Sequence, residues 1–192
     1  MTISKGMTLT YKWSMTPLRP AEKAPYRSGW QNERLGAEEM AEILESSPRD
    51  NIGVLTGKAS GNQICVDLDN ETARELAPEF LPPTPLVVGR SQNPRTHWFY
   101  HVPAGIKATK FKLPPDPSDP KKKLSVVEIL SDGNQVVVGP SVHPDGDVYD
   151  ELDNEPATVD ADELLEAVQA LFSAVLARLG LSEQINEKGN GQ

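Results

Sequence analysis

Six short apolar runs, each bounded by turn-forming residues, constrain this chain more than any other feature: NIGVLTG (51–57), NQICVDLDN (62–70), TPLVVGRS (84–91), THWFYHV (96–102), LSVVEIL (124–130) and QVVVGPS (135–141). They are rich in valine, isoleucine and aromatic residues, and are too short for helices that must bury a face, so they read as strands. Seventeen prolines and fourteen glycines fit many turns rather than a helical bundle. Helical spacing occurs in three places. Met40, Ile43 and Leu44 recur within 36–46, and ETARELAPEF (71–80) reads as a short helix broken by Pro78. Leu164, Leu165, Val168, Leu171, Phe172, Val175, Leu176 and Leu179 form a long stripe, with Asp160 and Glu163 spaced as a capping box before it and Gly180 after it. The fold class expected is α+β, with mixed or antiparallel sheets and flanking helices. The Asp-Gly of SDGN (131–134) predicts a hairpin between the last two strands. SQNPR (91–95) reads as a polar loop, and the lysine- and proline-rich stretch 105–123 as a long mobile loop.

No apolar run approaches the roughly 18 residues of a membrane span, and the first residues lack the apolar core of a secretion signal. The single cysteine, Cys65, excludes an internal disulfide framework and a cysteine-built zinc site. A cytoplasmic protein with no membrane partner is expected. The net charge of −9 argues at first against nucleic acid. Its distribution alters that reading. Residues 145–192 hold 12 acidic against 2 basic side chains, whereas residues 1–144 hold 16 against 17. Within 105–123, Lys107, Lys110, Lys112, Lys121, Lys122 and Lys123 face only Asp116 and Asp119, which makes them candidate nucleic-acid contacts.

The chemistry concentrates where acids interrupt apolar strands. In QICVDLD, alternation sends Ile64, Val66 and Leu68 to one face and Cys65, Asp67 and Asp69 to the other. Two parallel carboxylates repel unless something positive lies between them, and Glu128 interrupts LSVVEIL in the same way. Hard oxygen donors of this kind suit Mg²⁺ or Mn²⁺. His97 opens a strand directly after Arg90, Ser91 and Arg95, all donors suited to phosphate oxygens. Lys23 and Arg27 add candidate cations, and GPSVHPDG (139–146) places Ser141 and His143 at a strand end. TGKASG (56–61) lacks the phosphate-loop pattern and precedes a strand, so it is set aside.

In order, the motifs are K-x-P…W (23–30), G-x-L-T-G (53–57), D-x-D (67–69), a donor-rich loop ending in His97, the strand acid Glu128, and V-V-V-G-P-S-x-H-x-x-G (136–146). This ordered set, over residues 17–149, resembles the N-terminal primase–polymerase domain of the archaeo-eukaryotic primase superfamily, found in bifunctional plasmid and phage replication proteins. The resemblance implies a sheet with flanking helices packed on a smaller β-rich lobe, with a central cleft. It implies metal ligands at Asp67, Asp69 and Glu128, and a catalytic triphosphate contact at His97. Arg90, Ser91, Arg95, Ser141, His143 and Lys23 are then further nucleotide-binding candidates. Three departures from the family pattern stand in the sequence. The third acid is Glu128 where aspartate is common, Ser91 lies six residues before His97, and Gly139 takes a position where proline is common. The implied activity is template-directed nucleotidyl transfer on single-stranded DNA by a two-metal mechanism, using ribo- or deoxyribonucleoside triphosphates. The rival readings are a non-catalytic replication module and a metal-dependent nuclease. Residues 1–155 are expected to form the catalytic domain. Residues 156–192 are expected to add an amphipathic helix and polar tail that pack on it or link it to a further domain such as a helicase.

Overall fold

The computed structural model describes residues 13–115, 118–119 and 124–182. The run carrying Asp67 forms β3 (Gln63–Leu68), flanked in a six-stranded sheet by β5 (Asn93–His101) and β7 (Ser125–Leu130), both antiparallel to it. Outside these, β4 (Val87–Arg90) pairs with β5 and β6 (Thr109–Lys112) with β7, while β9 (Ala157–Thr158) lies parallel to β5. A second, three-stranded antiparallel sheet holds β1 (Met15–Leu18), β2 (Asn51–Leu55) and β8 (Gln135–Val138), with β2 in the middle. Helices α1 (Ala37–Ser46), α2 (Glu71–Phe80) and α3 (Ala161–Arg178) complete the chain. The fold is α+β, as expected.

The alternation in β3 explains how these layers stack. Ile64, Val66 and Leu68 share a core with Trp98, Tyr100, Val127 and Ile129 and with Leu164, Val168, Leu171 and Val175 of α3. The opposite face places Cys65 and Phe99 against Met15, Ile52, Val54, Val136 and Val138 of the second sheet and against Met40 and Leu44 of α1. Both faces of the sheet are therefore covered near its middle, and Cys65, Phe99 and the first five side chains of that second group are fully or almost fully buried. Asp160 caps α3 by accepting the Asp162 N–H at 2.9 Å, without the reciprocal Glu163 bond of a capping box. Gly180, with φ of 69°, ends it. Among the described residues no helix is long and apolar enough to cross a membrane.

Four local expectations are corrected. β7 and β8 do not form a hairpin, because the chain changes sheets at 131–134. That turn docks on the end of β2 instead: the Thr56 hydroxyl donates to Ser131 O at 2.7 Å, and the Lys58 N–H to Asp132 Oδ1 at 2.7 Å. Gly57 lies against it with φ of 74°, and a Cβ there would come within 2.5 Å of the Asp132 backbone nitrogen. Residues 109–112, expected in a loop, form the edge strand β6, since pairing with β7 buries Phe111 against α3. Pro78 does not break α2; it sits in the last turn, where its missing N–H removes one hydrogen bond. The loop after β4 shrinks to Ser91 and Gln92 because β5 already starts at Asn93.

Candidate active site

Residues directly opposite each other on antiparallel strands share a face. In this sheet Val88 pairs with His97, His97 with Asp67, Asp67 with Glu128, and Glu128 with Lys110. The five residues form one row across five strands, on the face that carries Cys65 and Phe99. The three-stranded sheet covers that face at Cys65 and leaves it open at Asp67, which is half-buried. Within the row His97 Nε2 is 3.6 Å from Asp67 Oδ1, and Lys110 Nζ is 2.6 Å from Glu128 Oε2.

Beside the row is a pocket of about 250 Å³ lined by Lys23, Asp67, Leu68, Asp69, Arg74, Arg90, Asn93, Thr96, His97 and Tyr149. It gathers two carboxylates, three cations and several neutral donors. Burial, reinforced by the charges of Lys23 and Arg90, pushes the His97 imidazole down to about 4, so the ring is neutral at pH 7. His97 Nδ1 is buried with no hydrogen-bond partner among the described residues, while Nε2 is the ring nitrogen that faces Asp67.

Two backbone segments bring distant side chains to this pocket. The first is 139–150. Gly139 N–H donates to Asp150 O at 2.8 Å, and a Cβ at Gly139 would lie 2.4 Å from Tyr149 O, so only glycine allows this approach. The Ser141 hydroxyl accepts the Ile52 N–H at 2.8 Å, and the Asn51 side chain bonds both the N–H and the carbonyl of Val142. Arg90, 8% exposed, donates to Asp145 at 2.9 Å and lies 3.5 Å from Asp147. This segment sets the Tyr149 ring parallel to His97, with centroids 6.4 Å apart, and 5.7 Å from the Arg90 guanidinium carbon. Burial pushes the Tyr149 phenol up to about 12, so it remains protonated. The second segment carries Lys23. The Gln135 amide donates to Lys23 O at 2.7 Å and the Asn51 amide to Glu22 O at 3.0 Å, which ties residues 22–23 to β8 and β2.

The chain matches, over residues 8–167, the family model described as the N-terminal domain of bifunctional DNA primase/polymerases, Prim-Pol. The chain is a member of the Prim-Pol family. No curated protein matches it. Membership points to DNA primase/polymerase chemistry, with DNA and nucleotides as substrates.

Not every residue singled out from the sequence reaches the Prim-Pol pocket. Asp67, Asp69, His97, Arg90 and Lys23 line it. Glu128 lies next to Asp67 in the row, 9% exposed, and its carboxylate receives the Ser125 hydroxyl and Lys110. Ser91 donates to Asp147, and Arg95 lies over the Trp98 ring on the helix side of the sheet. Ser141 is buried against β2, and His143 lies 2.7 Å from Asp145, next to Tyr149. Lys107 and Lys112 are exposed along the β6 side. Lys121, Lys122 and Lys123 lie outside the described residues. The pocket also contains Arg74, Asn93, Thr96 and Tyr149, which sequence reasoning did not select. Asn93 and Thr96 lie in or beside the donor-rich loop that was selected, and Arg74 one turn into the helix after D-x-D, so proximity in sequence was an available signal for these three. Tyr149 has no such signal.

Among the described residues no three histidine, cysteine, aspartate or glutamate side chains are close enough to hold a metal ion by themselves. The acids lining the Prim-Pol pocket, Asp67 and Asp69, are nonetheless a donor set that fits Mg²⁺ or Mn²⁺, ions that complete their coordination with water and phosphate oxygens.

Proposed function

We propose that this chain performs template-directed nucleotidyl transfer on single-stranded DNA, as a primase, a polymerase or both. The observation that carries this reading is the pairing of opposite charges in one pocket: Asp67 and Asp69 with Lys23, Arg74 and Arg90. A nuclease needs the acids without a triphosphate clamp. When bound at Asp67 and Asp69, two Mg²⁺ or Mn²⁺ ions would supply Lewis-acid charge at the attacking 3′-hydroxyl and at the leaving phosphates. Lys23 and Arg74 bind the triphosphate and hold it in line for attack. Arg90 contributes less charge, because Asp145 and Asp147 share its guanidinium. Neutral His97 offers its single ring N–H as a hydrogen-bond donor to the phosphates, and Tyr149 keeps the ring in place.

Template binding is assigned to the β6 side, where Lys107 and Lys112 are exposed. Exposed acids also line the opposite face of the sheet: Asp162, Glu163 and Glu166 of α3 and Glu75 and Glu79 of α2 lie on helices that pack there. Residues 1–155 are taken as the catalytic domain, with α3 packed on it and a helicase as the expected partner.

The test is synthesis on single-stranded DNA with Mg²⁺ or Mn²⁺ and labelled nucleotides, with and without primer, alongside an Asp67→Ala/Asp69→Ala variant. Product without primer that vanishes in the variant establishes a primase, and primer extension alone establishes a polymerase. The variant is expected to melt no lower than wild type, since removing carboxylates relieves repulsion. No metal-dependent nucleotide binding in wild type rejects the reading.

A further inference from the structure

Glu128 is an acid of the row whose charge meets a cation, Lys110, from the edge of the same sheet. It stands directly opposite Asp67 on one side and Lys110 on the other. Like charges opposite each other destabilise a sheet, and Lys110 offsets this at 2.6 Å from Glu128 Oε2 while Ser125 donates to Oε1. The exposures are unequal: the Glu128 side chain is 11% exposed and that of Lys110 55%. The acid is part of the wall, and the lysine reaches in from solvent. Lys110 belongs to an edge strand with one neighbour and a register shift between Phe111 and Lys112. An edge strand gives up its contacts at less cost than a central one. The pocket itself takes its acids from Asp67 and Asp69 and does not include Glu128.

We propose that Lys110 is the built-in countercation of Glu128 and competes with a divalent ion for its carboxylate. The proposal rests on the nucleotidyl-transfer reading above. Without metal, Lys110 keeps two opposed acids tolerable in a partly buried row. For Glu128 to join Asp67 and Asp69 around an ion, Lys110 must release it. Lys110 is thus a positioning residue acting through Glu128, and the lysine sets how tightly the site takes metal. Removing its charge loosens the hold on a third carboxylate and strengthens binding, because affinity for such ions rises with the charge of the ligand set.

The experiment is calorimetric titration of the full chain with Mn²⁺ alone, without nucleotide or DNA. Lys110→Met and Lys110→Gln are both expected to bind Mn²⁺ about tenfold tighter than wild type, and adding Glu128→Gln to either should erase the gain. Lys110→Arg, which keeps the charge, should leave the affinity near that of wild type. Lys110→Gln retains a hydrogen-bonding partner for Glu128, so the comparison survives if Lys110→Met does not fold. Equal or weaker Mn²⁺ binding in a folded neutral variant overturns the proposal while leaving nucleotidyl transfer standing, provided that Asp67→Ala/Asp69→Ala abolishes the wild-type binding. If neither wild type nor any variant binds Mn²⁺ without nucleotide, the proposal falls, while nucleotidyl transfer is still decided by metal-dependent nucleotide binding.

Discussion

His97 shows how one side chain acquires a role from its surroundings. A strand histidine in water would titrate near pH 6.5. Here burial, with Lys23 and Arg90 close by, lowers it to about 4. The ring is therefore neutral under working conditions and gives a ligand a hydrogen bond without adding charge. Its Nδ1 has no partner among the described residues, although burying an unsatisfied polar atom is costly. His97→Ala is expected to weaken nucleotide binding roughly tenfold, in line with the loss of one hydrogen bond to a charged group. Nucleotide titration in the presence of metal measures it, and an unchanged dissociation constant removes His97 from this role.

At the level of elements, the segment 139–150 acts as a strap from β8 past the end of β4. Its polar residues are largely spent on anchoring, which is why Ser141, singled out from the sequence, is buried against β2 while Tyr149 reaches the pocket. The Asp147 backbone N–H, followed by Arg90 and His143, holds the Asp145 carboxyl well below the usual carboxylate range. The Gln92 N–H and the Ser91 hydroxyl lower Asp147. Both acids are thus more readily ionised folded than unfolded. Their contribution is complete above roughly pH 4, the unfolded value, and is lost as pH falls through the lower folded values. Thermal melts from pH 7 to pH 2 should show wild type above an Asp145→Asn/Asp147→Asn variant at neutral pH, with the gap closing below about pH 4. A gap that stays constant across that range would mean that the strap is not held by these charges.

For the whole molecule, the decisive event is the change of sheets between β7 and β8. It gives the two sheets a common core at Cys65 and Phe99, and it starts the strap beside β4. The crossing depends on Gly57, where a side chain would meet the Asp132 backbone and would also need a left-handed φ. Gly57→Ala should cost about 2–4 kcal/mol from combined strain and overlap. The melting temperature should then fall by roughly 5–15 °C. A drop of less than a degree or two would show that the turn can undock freely.

Local pattern determined a large part of this protein. Alternation in QICVDLD assigned the faces of β3 correctly, because a strand buried on both sides leaves little choice about which residues it hides. The charge split between 1–144 and 145–192, the three helices and the resemblance to the Prim-Pol family were legible for the same reason: each depends on neighbours in sequence. Tertiary structure decided what depends on distant partners. SDGN carries the signal of a hairpin, yet docking on Gly57 and Lys58 turns it into a crossing between sheets. Lys110 reads as one of six surface lysines until β6 pairs with β7 and sets it against Glu128. Tyr149 stands 52 positions after His97 with no pattern joining them, and only the strap brings their rings together. Side-chain periodicity is a property of the backbone within one element, whereas these three outcomes depend on which elements find each other.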